Sequence, residues 1–447
     1  MLRNRLLEKL VLPLGDQLLG TSFMRALREV RSFDSLSSQA LAALQAQRLE
    51  LILRHASAYA PFYRRFAAPA PADPVEWLKG FPVLSKQVLR KDPDALLTQP
   101  AHGLIKKSSS GSSGVQSTVF LTRHELSMQR ANFAHWWEWA GYRIGDPMVQ
   151  TGMQTRRGLV KAGKDLLFQT RYISAFSHRR ENIIALLRSL RGKPARHLGG
   201  YASSLFVIAQ IAEQEGIHDV HFKSAIAWGD KLFAHYRTTI ERVFSTRVFE
   251  TYGCAEGLMI AAQRDTDYLY VMTPGVYLEI LDDHGREVPD GQAGHVVVTS
   301  LTARAMPLIR YRLGDLAIRL PRSAYPGQRE FAYPLLQQVI GRDTDIVRTR
   351  GGNSMVVHSF TGIFEHIPEI RQFRVVQRTL DSLEIEYIPG RGFAPAVLDT
   401  VRQRIHRGLN EPIALSFRRV AEIPATASGK PQIVLSLLDH ADMTKPA

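Results

Sequence analysis

The first pattern along the chain is a leucine face. Leu2, Leu6, Leu7, Leu10 and Leu14 recur three to four residues apart and share one side of a predicted N-terminal helix. Arg3, Arg5, Glu8 and Lys9 interrupt the leucines, so the segment lacks the unbroken apolar run and small-residue cleavage site of a secretory signal. Such a face packs on the body of a protein in the commoner case, and otherwise makes weak contact with a membrane surface. Leu41, Leu44, Leu49, Leu51, Ile52 and Leu53 predict a further apolar helix that runs toward Pro61.

From about residue 120 to 300, helix-period and strand-period segments alternate. Glu125 to Ala140, Ser203 to Glu215 and Lys231 to Phe244 read as helices, and Phe222 to Ala227 and Arg247 to Glu250 as strands. That order predicts an α/β fold of layered helices and sheet. Val276 to Leu281 and His295 to Thr299, separated by the turn Asp282-Asp283-His284-Gly285, add strands expected to form a β-barrel-like subdomain. After Gly341-Arg342-Asp343 the pattern restarts as a small α+β unit, with a helix near Thr361 to His366 and strands at Phe373 to Gln377, Leu383 to Ile388 and Ala414 to Val420. A helix is expected at Ala394 to Arg407. The expected domains are therefore 1–342 and 343–447.

Composition narrows the function classes. With 447 residues, 45% of them apolar and 22% charged, the chain can bury a large core and does not read as disordered. No apolar run reaches the roughly 18 residues of a membrane span, and Cys254 is the only cysteine, which excludes an intrachain disulfide and a multi-cysteine zinc site. A cytoplasmic location is expected. The net charge of +15 comes mainly from dispersed arginines. No nucleic-acid-binding module or dense basic tract accompanies it, so it reads as a solvated basic surface. The 15 histidines show no His-Glu-x-x-His spacing, which leaves a metallohydrolase unsupported.

Five segments can carry chemistry. Ser108-Ser109-Ser110-Gly111-Ser112-Ser113-Gly114 offers backbone N–H and hydroxyl donors, and its glycines permit the close approach that an anion nest requires. In isolation it reads more readily as a flexible linker. Tyr252-Gly253-Cys254-Ala255-Glu256 ends a predicted strand, where ligands of open α/β sheets bind. Its aromatic ring can stack on a base and its carboxylate suits Mg²⁺, or the segment is an ordinary turn. Arg310-Tyr311-Arg312-Leu313-Gly314-Asp315 presents a carboxylate able to accept two ribose hydroxyls, Arg342 offers a guanidinium to phosphate or ribose, and Ser428-Gly429-Lys430 places a lysine in a C-terminal loop.

Taken together and in this order, the five segments resemble the acyl-adenylate-forming superfamily. The phenylacetate-CoA ligase branch, with its capsule-cluster and coenzyme F390 synthetase-like members, is the nearest in character, and Ala60-Pro61-Phe62-Tyr63, Phe81-Pro82-Val83-Leu84-Ser85-Lys86 and Gly200-Tyr201-Ala202-Ser203 share its flavour. The resemblance covers about residues 50–435. It implies an enzyme that uses ATP and Mg²⁺ to convert a carboxylic acid to its acyl-AMP, then transfers the acyl group to CoA. Other acceptors in the family's range are a carrier-protein thiol, an amine or a hydroxyl, and a non-catalytic nucleotide-binding scaffold is the alternative of another class.

By the same resemblance Ser109, Ser110, Gly111, Ser112, Ser113 and Gly114 would wrap the ATP phosphates. Tyr252, with Gly253 beside it, would meet the adenine, Glu256 would hold Mg²⁺, Asp315 the ribose, and Arg342 the nucleotide near a hinge at Asp343. Lys430 would bridge ATP and the substrate carboxylate. Thr349-Arg350-Gly351-Gly352-Asn353 would approach the acceptor after the small domain swings. Gln116 departs from the pattern, standing in a loop region where many relatives carry a lysine. Cys254 is placed to suggest a nucleophile, and His135-Trp136-Trp137-Glu138-Trp139 to suggest an aromatic acid pocket, but small-residue packing and helix packing account for them more simply.

Overall fold

The computed structural model describes residues 2–438 apart from 67–70, 109–116, 153–158, 175–179, 195, 343–345, 351–352, 357–359, 361–362, 365–366, 410 and 425–431. Two compact units emerge, one holding most residues up to Gln338 and the other running from Val339 onward with Gly314–Ala317.

An eleven-stranded sheet dominates. From one edge its order is Val276–Leu281, Ala293–Ser300, Tyr311–Arg319, Leu335–Arg342, Leu269–Val271, Met259–Ala262, Val248–Gly253, Phe222–Trp228, Arg196–Tyr201, Met148–Gly152 and Thr170–Ser174. The last five strands pair in parallel. Two-sided burial follows from helices on the faces of that end. One cluster joins Leu187, Leu205, Ile208, Ala212, Phe222 and Phe244, and on another Met148, Ile226, Phe249 and Tyr142 pack together with Trp137 and Trp228. Each fully buried side chain of this size stabilises by about 1.5–3 kcal/mol.

The chain leaves Met148–Gly152 for Thr170–Ser174 on one side and returns to Arg196–Tyr201 on the other. The carboxyl ends of Met148–Gly152 and Arg196–Tyr201 therefore diverge at a topological switch point, the usual crevice of such sheets. Thr151 Oγ1 accepts from Tyr201 N at 3.2 Å, and a Cβ at Gly200 would strike the Thr151 side chain, so only glycine fits there.

Past Val248–Gly253 the sheet turns antiparallel through Met259–Ala262 and Leu269–Val271 to Leu335–Arg342. Val276–Leu281 and Ala293–Ser300, expected in a barrel-like subdomain, pair with each other in antiparallel fashion and continue this same sheet. On this end the N-terminal helices pack: Leu7, Met24, Leu27, Val30 and Phe33 join Trp136 and Trp139 of helix Arg123–Trp139, with Tyr270 and Tyr333. Ser37 caps the long helix Ser38–Tyr59 by accepting from Ala40 N.

Of the N-terminal leucine face only Leu7 is buried; Leu2, Leu6, Leu10 and Leu14 point outward. The second unit holds a four-stranded sheet in the order Ala414–Arg419, Ser382–Pro389, Ile370–Thr379, Val434–Ser436, with helix Val397–Leu409 burying Val401, Ile405 and Leu409. Among the described residues no helix is long and apolar enough to cross a membrane.

Candidate active site

Strand Val248–Gly253 ends in a tight hairpin. Cys254 N donates to Leu258 O at 3.0 Å and Gly257 N to Cys254 O at 2.9 Å, closing the turn that carries Glu256. Gly253 is required because a Cβ there would lie 2.7 Å from Leu258 O, and Gly257 because its φ is +95° and a Cβ would collide with Gln129. Glu256 itself is buried and faces a cleft lined by Leu121, Glu125, Gln129, Leu258, Ser300 and Met306. Tyr252 is about nine-tenths buried, opposite Ala261 in the ladder.

Glu256 is oriented from the next motif: Tyr311 donates its hydroxyl to Glu256 Oε1 at 2.9 Å. Burial, and then the Glu256 carboxylate, push the Tyr311 phenol above its usual range, so Tyr311 stays a donor. Burial and the same carboxylate also raise the Cys254 thiol well above its ordinary value and keep it protonated, which removes it as a nucleophile. Two buried carboxylates, Glu125 and Glu256, line the cleft; Glu125 is engaged by the Arg304 and Ala305 amides, and Glu256, an oxygen donor outside any cluster of three metal-binding side chains among the described residues, fits Mg²⁺ shared with phosphate oxygens.

The segment before Tyr311 is held in a conformation that costs energy. Arg310 has φ of +48°, an uncommon state for a long side chain that costs on the order of 1 kcal/mol or more. Arg310 N donates to Thr299 Oγ1 at 2.9 Å, and Leu84 N donates to Arg310 O at 2.9 Å. Its buried guanidinium forks onto Glu279 at 2.9 and 3.2 Å and donates to Phe81 O at 3.0 Å. Two segments that carried the sequence resemblance converge here. Phe81-Pro82-Val83-Leu84 brackets Arg310 and Arg312, and Tyr63 accepts from Ile309 N at 3.2 Å while donating to Pro307 O at 3.1 Å. The third sits at the switch point, where Asp230 accepts from the Ala202 and Ser203 amides at the start of helix Ala202–Gln214.

Three groups were missed by reading the sequence. Glu125 accepts from Ala305 N at 2.8 Å and from Arg304 N while closing a capping box with Thr122, a pairing that Thr-x-x-Glu ahead of a helix announces. Lys107, on strand Ile105–Ser108 that leads into the serine-rich loop, donates to Gln129 Oε1 at 3.2 Å. Burial and Arg130 lower its pKa and the Glu256 carboxylate opposes them, so Lys107 stands close to the Glu256 turn. Arg90 donates to Ser117 Oγ at 3.1 Å, just past the loop. The aromatic run is core: Trp136 is buried, Trp139 Nε1 donates to Asp34 Oδ2 at 3.0 Å, and Trp137 stacks on Trp228 at 5.7 Å.

Asp315 lies on strand Tyr311–Arg319, just after Gly314 with its φ of +76°, and is counted with the second unit. Arg342 ends strand Leu335–Arg342. Ser109 to Gly114, Gln116, Asp343 and Lys430 lie outside the described residues, as do Gly351 and Gly352 of the acceptor loop.

The chain is 28% identical over 376 residues to the phenylacetate-coenzyme A ligase of Pseudomonas putida, an alignment that spans 79% of this chain and 82% of the relative. Protein CapK of Staphylococcus aureus is 21% identical over 409 residues, 88% of each chain. In structure the chain matches 2-hydroxyisobutyryl-CoA ligase in its postadenylation state, in complex with R3-HIB-AMP, with a TM-score of 0.71, 20% identity and 92% of both chains covered. Over most of its length the chain is similar to these CoA ligases, and it shares the fold of 2-hydroxyisobutyryl-CoA ligase. No family model matches it. Of the candidate site, the Glu256 hairpin and the Arg310–Asp315 segment are the parts whose geometry is in view, and they are joined by the Tyr311 hydroxyl.

Proposed function

We propose that this protein is an ATP-dependent acid:CoA ligase. A substrate carboxylate oxygen attacks the α-phosphorus of ATP, the bond to the β-phosphate oxygen breaks and pyrophosphate leaves. The thiolate of CoA then attacks the acyl carbon and AMP leaves with the electron pair of the acyl–oxygen bond. The observation that carries this reading is the Tyr311–Glu256 hydrogen bond, because it unites two separate sequence motifs on one cleft wall. Similarity to two acid-activating ligases over most of the chain supports the same chemistry.

In this reading Ser109 to Gly114 wrap the phosphates, Tyr252 and Gly253 meet the adenine, Asp315 binds the ribose, and Arg342 contacts the nucleotide at a hinge centred on Asp343 between domains 1–342 and 343–447. Glu256 would hold Mg²⁺, which when bound neutralises phosphate charge. Lys430 offsets the repulsion between the incoming carboxylate and the α-phosphate as charge builds in the transition state. Lys107 and Arg90 flank the serine-rich loop and supply cations where Gln116 supplies none. A carrier-protein thiol, an amine or a hydroxyl is the alternative acceptor, and the cytoplasm, which holds ATP and CoA, is the compartment implied.

The test is acid-dependent pyrophosphate release across aromatic, fatty, amino and hydroxy acids, each with and without CoA. Release that requires no acid, or no release with any acid, overturns the reading. Lys430→Ala is expected to lose acid-dependent pyrophosphate formation by roughly a thousandfold or more while ATP binding persists; unchanged turnover would remove Lys430 from the site.

A further inference from the structure

The N-terminal helix presents an apolar face that the ligase chemistry leaves unused. Leu2–Leu6, a π-helical turn at Leu7–Val11 and Leu12–Leu19 follow one another without a break. Leucines stand at every fourth position, 2, 6, 10, 14 and 18. On a regular α-helix such a row drifts by about 40° per step. The wider π turn takes up part of that drift and keeps the row on one side. All five are exposed, Leu2 and Leu18 at 85%, and Leu19 joins them. Arg3 donates to the carbonyls of Leu166 and Leu167, which brings two more exposed leucines alongside. Eight of the eleven exposed large apolar side chains among the described residues thus gather at one place. A patch of this kind marks an interaction surface.

Charge selects the partner. Both acids of the helix turn inward: Glu8 pairs with Arg31, and Asp16 accepts from Thr21 Oγ1, Phe23 N at 3.0 Å and Met24 N at 2.7 Å. Arg5 and Lys9 are exposed among the leucines, and Lys164 is exposed on helix Leu159–Leu167. Among the described residues the outward side of helix Leu2–Leu19 therefore offers leucines and cations with no carboxylate, and on helix Leu159–Leu167 Asp165 stands next to Lys164. Twofold pairing with a second copy would bring the same cations together without a counter-charge. An anionic bilayer satisfies both features, since acyl chains accept the leucines and headgroups the cations.

We propose that helix Leu2–Leu19 lies in the interface of an anionic bilayer and docks the protein on it without spanning. The test is co-sedimentation of the full chain with vesicles of phosphatidylcholine alone or mixed with phosphatidylglycerol, at low and high salt, beside sedimentation velocity without lipid. The parent should pellet with the mixed vesicles at low salt and be released by high salt. Leu6→Glu/Leu10→Glu/Leu14→Glu should weaken binding by about tenfold or more at an unchanged melting temperature, because these side chains already face water. Arg5→Glu/Lys9→Glu should weaken it by about tenfold through the lost headgroup attraction. No vesicle binding by the parent overturns the proposal, and so does binding that survives the triple substitution. A parent dimer that the triple substitution dissociates assigns the face to a second copy and overturns it as well.

Discussion

The two ends of the long sheet treat buried polarity in opposite ways. At the parallel end the interior is largely apolar on both faces, and it buries the imidazole of His197, bonded to Ser224 Oγ at 2.7 Å. The antiparallel end buries charge: Glu256 under the Tyr311 hydroxyl, and Glu279 forked by Arg310. Buried charge costs several kcal/mol per ion unless it is paired. Of these, Glu256 lies on the cleft wall, where a triphosphate and a metal would add charge of both signs. The parallel end acts as scaffold, with a crevice at its switch point. Chemistry is thus concentrated on one side of strand Val248–Gly253, and the substitutions that follow test that division.

The largest effect is expected at Glu256. Glu256→Gln keeps size and a hydrogen-bond acceptor for Tyr311 but removes the charge for Mg²⁺, so acid-dependent pyrophosphate release should fall by roughly 100-fold or more and demand more metal. A metal titration that overlays the parent curve would make Glu256 structural and erase the contrast between the two ends. Next comes Arg310. Arg310→Met strands Glu279, whose pKa burial already raises against the pull of Arg310, and should cost about 3–5 kcal/mol in urea denaturation. Adding Glu279→Leu should restore most of that stability but not turnover, because the conformation that aims Tyr311 would still be lost. Turnover recovered together with stability would show that Arg310 serves folding alone.

How much of this was legible in the sequence differs by the same division. The hairpin after Tyr252-Gly253 was readable because a tight turn demands particular residues in a short run, whereas Gly314-Asp315 lies within strand Tyr311–Arg319. Strands Phe222–Trp228 and Val276–Leu281 showed through their apolar content. Met148–Gly152, Thr170–Ser174 and Arg196–Tyr201 did not, because Gln150, Arg171, His197 and three glycines blur any strand period. Partners distant in sequence were invisible: nothing local to Arg310 announces Glu279, Leu84 or Phe81. The N-terminal row of leucines was evident as a face, but its orientation was not, since only the packed body decides that Leu7 turns in and its neighbours out.

His197 gives the smallest effect and the sharpest test of the scaffold end. It is buried, Tyr142 meets it edge-on at 5.4 Å, Asp146 lies 3.7 Å from Nε2, and Lys223 is the cation that acts on it. Burial outweighs the Asp146 attraction and lowers its pKa to about 4. The sign follows from proton uptake. Between pH 6.5, where the unfolded imidazole titrates, and pH 4, the unfolded chain holds a proton that the folded chain lacks, so acid favours unfolding. The loss should reach about 3 kcal/mol by the lower limit, at 1.36 kcal/mol per pH unit. His197→Asn keeps a side-chain partner for Ser224 and does not titrate. It should lower stability at neutral pH by an amount that depends on how well the site collapses, and then flatten the acid slope relative to the parent in urea midpoints measured across that range. Parallel slopes for the two proteins would mean that His197 takes up its proton in the folded state, and that the parallel end tolerates buried charge as the antiparallel end does.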